Sequence, residues 1–237
     1  MEKVVSSVKL VFNDLMNIAY PNNCKICRKS LFDYENTICN HCLTGLPETN
    51  YFSVTENPIV QLFWGRCEIN HAAALFFVNK NNKVHDLIHL LKYKDKPIVG
   101  ERIGKLMGSK LKQENSLFKN IDLVVPVPLH WKKEKLRGYN QSYHLALGIY
   151  EATAIPIIAD NLIRSVSNIS QTKKGKFERW DNVEDIFTLK DESIFKDKHI
   201  LLIDDVVTTG ATLEACVHAL KKADCKVSIF TIATAGS

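Results

Sequence analysis

His199-Ile200-Leu201-Leu202-Ile203-Asp204-Asp205-Val206-Val207-Thr208-Thr209-Gly210-Ala211-Thr212-Leu213 decides the fold. Ile200 to Ile203 is a short continuous apolar run, the pattern of a strand buried on both faces. Two carboxylates stand where that strand ends. A loop of small hydroxylated residues follows, and the spacing of Leu213, Cys216, Val217 and Leu220 predicts a helix over 212–223. A buried strand that turns directly into a helix is the unit of an open α/β sheet, whose ligands bind outside the carboxyl ends of the strands. The first turn of such a helix carries unpaired N–H groups and a partial positive charge, which suit a phosphate. Gly210 allows close backbone approach, and Thr208, Thr209 and Thr212 offer hydroxyl donors. Carboxylates beside a phosphate would repel it, whereas they suit sugar hydroxyls one group further along. An ordinary capped turn needs one Ser, Thr or Asp, not an acidic pair and three threonines around a glycine. The stretch therefore points to a sugar 5-phosphate.

The same alternation extends outward. His71–Val78 reads as a buried strand ending in the turn signal Asn79-Lys80-Asn81-Asn82. Val84, Leu87, Ile88 and Leu91 have helical spacing, as do Ile103, Leu106, Met107 and Leu111. Leu123–Val127 is a short strand stopped by Pro126 and Pro128, 143–152 a helix, and Val227–Ala233 a β-branched strand. Strands alternating with helices imply a parallel sheet with helices on both faces.

Several motifs in order carry a resemblance. Ile203-Asp204-Asp205-Val206-Val207-Thr208-Thr209-Gly210 resembles the phosphoribosyl-diphosphate (PRPP) motif of type I phosphoribosyltransferases. Val125-Pro126-Val127-Pro128, Arg137-Gly138-Tyr139-Asn140-Gln141, then Arg164, Gln171, Arg179, Asn182 and Phe187 are similar to the ComF (competence protein F) family, as are the amino-terminal cysteine pairs and Leu91-Lys92-Tyr93. The resemblance implies a type I phosphoribosyltransferase-like α/β domain preceded by a small zinc-finger module of double zinc-ribbon type. It implies that Asp204 and Asp205 hold ribose hydroxyls, with Val206 and Val207 in the same motif, and that Thr208, Thr209, Gly210, Ala211 and Thr212 hold the 5-phosphate. Val127, Pro128 and Leu129 are the expected pyrophosphate loop. Arg137 is a further candidate there, since arginine makes bidentate phosphate contacts. Residues 165–182 are polar and read as a lid, with Arg164, Gln171 and Arg179 as candidates to close on the diphosphate. Magnesium is expected with PRPP. No catalytic base for an acceptor stands out.

Cys24-x-x-Cys27 and Cys39-x-x-Cys42 are separated by eleven residues. Two such knuckles place four thiolates for a closed, structural zinc site. His41 reads as a bystander and Cys216 as core. His85 and His89, four apart, read as core or surface. The expected organisation is an amphipathic helix over 1–20 (Val4, Val8, Val11, Leu15 and Ile18 on one face), a four-cysteine zinc-finger module over 21–60, and the phosphoribosyltransferase-like domain over 61–237.

The chain has 237 residues and 46% hydrophobic composition, enough for a real core, and a net charge of +5, which permits a nucleic-acid or phosphate partner without demanding one. Seven cysteines, an odd number, argue against a secreted disulfide framework. Neither a signal peptide nor a membrane span is read, so a cytoplasmic location is expected. The family resemblance implies import or handling of single-stranded DNA in natural competence, with single-stranded DNA and competence or DNA-processing proteins as partners. Two other readings stand beside it: a metabolic phosphoribosyltransferase of nucleotide salvage or synthesis, and a PRPP-sensing zinc-finger adaptor without turnover.

Overall fold

The computed structural model describes residues 22–80, 82–93, 97–113, 116–164 and 186–235. The helix expected over 1–20 lies outside them, and so do Gln171, Arg179, Asn182 and the segment expected to form a lid. The chain divides into two compact units, Met1–Leu46, which holds the short helix α1 (Asn40–Thr44), and Pro47–Ser237. The stretch 47–60, expected with the cysteines, thus belongs to the second unit. Its backbone runs along the outer edge of the first strand: Thr49 N–H donates to the Leu75 carbonyl at 3.0 Å and Phe77 N–H to the Pro47 carbonyl at 2.9 Å. Phe52 then packs edge-on against Phe230, with ring centroids 4.6 Å apart.

The second unit is built on strands β1 (His71–Val78), β2 (Leu123–Pro126), β5 (His199–Val207) and β6 (Lys226–Ala235). They form a four-stranded sheet in the order β1-β6-β5-β2, and every pairing is parallel. The register aligns Val125 with Leu202, Leu202 with Ile229, and Ile229 with Ala72. These residues share one face, because side chains alternate along a strand. On it lie Leu213, Cys216, Val217 and Leu220 of α7 (Ala211–Lys221), confirming Cys216 as core. Ile59 of α2 (Pro58–Gln61) joins the same cluster. So do Leu162 and Phe187 of a small antiparallel pair, β3 (Leu162–Arg164) and β4 (Phe187–Leu189).

Neither α2 nor the β3–β4 pair was legible beforehand. Both are held by buried asparagines. Asn57 accepts from the N–H groups of Ile59 and Val60, while its amide donates to the Ala72 carbonyl at 2.9 Å. Asn161 exchanges two bonds with the Asp191 backbone.

The opposite face carries α3 (Lys83–Tyr93) on β1, and α6 (Gln141–Thr153) on β2 and β5, with α4 (Pro97–Leu111) packed on α6. The α4–α6 contact is backbone on backbone. A Cβ added to Gly104 would stand 2.1 Å from the Leu145 carbonyl oxygen, and one on Gly148 would stand 2.0 Å from that of Glu101. Gly148→Ala would raise helix propensity by about 1 kcal/mol in an exposed helix. Here the clash is with backbone that cannot rotate away, so overpacking should win. The variant is expected to be less stable by about 2–3 kcal/mol, read as a lower urea midpoint at unchanged slope. A midpoint at or above that of the wild type would contradict the close packing.

Candidate functional site

The carboxyl ends of β2 and β5 open into a cleft of about 580 Å³. Strand β5 is longer than the apolar run implied. It continues through Asp204 and Asp205 to Val207, so both carboxylates sit on the sheet itself. Asp204 accepts from the Ser142 hydroxyl at 3.1 Å and from the Asp205 N–H at 2.8 Å. Asp205 forms an ion pair with Lys92 of α3 at 3.0 Å. Burial, and after it the negative charge of Asp205, raise the Asp204 carboxyl to about 7, with the hydrogen bonds and Lys92 pulling the other way.

Beyond β5 the loop reaches α7 through Gly210. This residue holds φ +76°, the left-handed conformation that favours glycine, and its missing Cβ leaves room for the Phe63 ring beneath. Gly210 offers α7 no side-chain cap; the Ala211 N–H donates over 3.5 Å to Thr209 Oγ1, and the following N–H groups of the first turn have no intrahelical acceptor. Arg66 holds the loop from outside. Its guanidinium donates to the carbonyls of Thr209 and Leu62 at 2.8 and 2.9 Å and is ion-paired with Glu214. Of the nine residues expected at a PRPP site, Asp204, Asp205, Val206, Thr208 and Thr212 line the cleft. Thr209, Gly210 and Ala211 shape the turn between them. Val207 does not line the cleft; its side chain is part of the core.

The opposite wall holds Val127, Pro128 and Leu129, together with Arg137 and Arg164. Two bonds fix this wall: Val127 N–H to the Ile203 carbonyl at 2.9 Å, and the Asn140 amide to the Val127 carbonyl at 3.1 Å. Lys132, Lys133, Lys135 and Arg137 lie on a short helix, α5 (Trp131–Arg137). It has no buried residue, and it turns Lys133 and Arg137 toward the cleft. The Arg164 guanidinium lies over the Phe187 ring, 5.4 Å from its centroid.

Sequence reasoning missed the third wall. His85, His89 and Lys92 of α3 line the cleft, whereas the histidines read as core or surface. Their spacing of four and three residues is a polar stripe opposite Val84, Leu87 and Leu91, and it was the available signal. Gln141 and Ser142, at the start of α6, also line it.

In the first unit the sulfurs of Cys24, Cys27, Cys39 and Cys42 all lie within 4.8 Å of one another. Cys24 and Cys42 are 3.9 Å apart, Cys27 and Cys39 3.7 Å. Four sulfurs about 2.3 Å from one tetrahedral ion are spaced by roughly 3.8 Å, so this cluster has the dimensions of a metal site. N–H groups of Cys39 and Cys42 point at the sulfurs of Cys24 and Cys39. Buried Glu35 ties the second knuckle in place, accepting from Asn40 N–H at 2.6 Å and from Phe32 N–H at 3.0 Å. His41 is exposed and stands outside the cluster. Among the described residues no helix is long and apolar enough to cross a membrane.

Residues 151–237 match the family described as the phosphoribosyl transferase domain. Competence protein ComFC of Bacillus subtilis (strain 168) is 38% identical over 112 residues, 46% of this chain and 43% of that protein. The DNA utilization protein YhgH of Escherichia coli (strain K12) is 24% identical over 202 residues, 83% of each chain. The match spans less than half the length of the two competence proteins found. Among solved structures, the glutamine PRPP amidotransferase from B. subtilis, complexed with ADP and GMP, superposes with a TM-score of 0.41 at 20% identity, covering 56% of this chain and 26% of that one.

Proposed function

We propose that this chain, which carries a phosphoribosyl transferase domain and is similar to the ComF competence proteins, binds PRPP in the β5–α7 cleft and serves in the import or handling of single-stranded DNA during natural competence, in the cytoplasm. One observation supports the ligand above the rest: an acidic pair and a helix N-terminus that opens on a glycine cap follow one another at the carboxyl end of one strand. The amide hydrogens of α7, with Thr208, Thr209 and Thr212, receive the 5-phosphate. Asp204 and Asp205 accept from the ribose hydroxyls. The diphosphate lies toward Val127, Pro128 and Leu129, where Arg137, Lys133 and Arg164 supply positive charge. Gln171 and Arg179 are proposed to close over it. The hard carboxylate oxygens of Asp204 and Asp205 suit magnesium, which would neutralise diphosphate charge when bound. The four cysteines hold a structural zinc ion, as thiolate ligands of this spacing favour.

Titration calorimetry with PRPP and excess magnesium tests the ligand. Saturable binding at micromolar PRPP, weaker for ribose 5-phosphate, is expected; no heat at millimolar PRPP would remove the reading. Pyrophosphate release, assayed across nucleobase and amine acceptors, separates the roles. Turnover with one of them would make the chain a metabolic phosphoribosyltransferase. Binding without turnover, together with single-stranded DNA binding that weakens steeply with salt, supports the competence role. Binding without turnover or DNA affinity would leave a PRPP-sensing adaptor.

A further inference from the structure

Gln141 is 2% exposed and lines the cleft, yet its side-chain nitrogen Nε2 has no hydrogen-bond partner. It is the one such buried side-chain atom among the described residues. Its neighbours differ. The Asn140 side chain is spent twice, accepting from Ser142 N–H and donating to the Val127 carbonyl. The Ser142 hydroxyl is spent on Asp204. Three consecutive polar residues, Asn140 to Ser142, thus form the cap and start of α6, and the middle one carries a buried nitrogen with no partner.

Buried donors are almost always satisfied, and one facing a cleft invites an acceptor from a ligand. The acceptor must be an oxygen with lone pairs to share. On either side of Gln141, chain neighbours bind the wall at Val127 and the acid at Asp204, the places assigned to the diphosphate and the pentose. Lys133 and Arg137 on the same cleft favour an oxyanion as its occupant.

We propose that Gln141 is a ligand-binding residue, its Nε2 donating to an oxygen of a sugar diphosphate. This inference rests on the reading of the cleft as a PRPP site. It accounts for a polar group that the fold itself leaves without a partner, and it gives the start of α6 a role in gripping the ligand.

The test sets affinity against stability. Gln141→Met keeps the length of the side chain and removes the donor. A merely structural glutamine and a ligand-gripping one then respond differently. The variant is expected to melt at or above the wild-type temperature, because the unsatisfied donor is gone. It is also expected to bind PRPP with excess magnesium roughly tenfold to a hundredfold more weakly. Unchanged PRPP affinity overturns the proposal, as does a fall in melting temperature that accompanies the loss of binding. Should Gln141→Met fail to fold, Gln141→Glu serves. It keeps the shape and sets a carboxylate against the diphosphate, so a larger loss of affinity is expected, and retained affinity overturns the proposal. Wild-type protein that binds no PRPP sinks the cleft assignment itself; wild type that binds while both variants bind equally well sinks only the role of Gln141.

Discussion

Asp204→Asn combined with Asp205→Asn is expected to abolish PRPP binding while leaving a folded protein. In the proposed complex, above pH 7 where Asp204 as well is ionised, each carboxylate accepts hydrogen bonds from sugar hydroxyls, and a bond to a charged group contributes about 1.5–3 kcal/mol. Losing the charge from both corresponds to roughly 3–6 kcal/mol, a fall in affinity of about 10²- to 10⁴-fold, without strict additivity. The fold should tolerate the change. The amide oxygen at 204 can still accept from Ser142 and from the residue 205 N–H, which bond Asp204 at 3.1 and 2.8 Å. Lys92, about a quarter exposed, can be solvated once Asp205 is neutralised.

The pH dependence gives an independent check. The native Asp204 carboxyl is raised from 3.8 to about 7, so between those values the folded chain holds a proton that the unfolded chain has released. Stability therefore falls as pH rises through that window, and the contribution is lost fully above it. The wild type should unfold at lower denaturant at pH 8 than at pH 5, after allowance for other groups, and Asp204→Asn should flatten that difference. Undiminished PRPP affinity in the double variant, measured by calorimetry, would end the assignment of this pair to the sugar.

Removing the zinc ion proposed for the cysteine cluster should have the largest effect on folding. The described part of the first unit buries Cys24, Ile38, Cys39, Cys42 and Leu46 as its apolar residues, far too little to offset chain entropy. Structural zinc contributes on the order of 10–16 kcal/mol of apparent binding free energy at neutral pH. Cys39→Ser removes one of the four thiolates, while its hydroxyl can still accept from Cys42 N–H, so the loss is confined to metal binding. The variant is expected to lose stoichiometric zinc and to exchange amide hydrogens across 22–46 at the rate of an unfolded chain. The core residues of the second unit should keep their protection, since none of them comes from 22–46. Full zinc content by atomic absorption, or a protected 22–46 segment after chelation, would show that something other than metal staples the module.

Much of this protein is readable because its signals are local. The strand His71–Val78 and the helix ending at Leu111 emerge from periodicity with bounds close to those observed. Four cysteines in two knuckles meet because eleven intervening residues can fold back only so far. What escaped were elements too short to show a period. The four-residue α2, the three-residue β3 and β4 and the seven-residue α5 depend on buried asparagines or a single cap rather than on pattern. The module boundary was missed because residues 47–49 bond to β1, a partner invisible to neighbour spacing.

By itself the amino-acid order determined the alternating α/β plan, the acidic pair before a glycine turn and the two cysteine knuckles, all written in spacings of a few residues. The tertiary structure alone decided that His85, His89 and Lys92 share a cleft with Asp205, that Ser142 reaches Asp204, and that α4 and α6 touch at Gly104 and Gly148. Those meetings join residues tens of positions apart. They follow from the strand order β1-β6-β5-β2 and from side-chain volume at helix contacts, which no local period encodes.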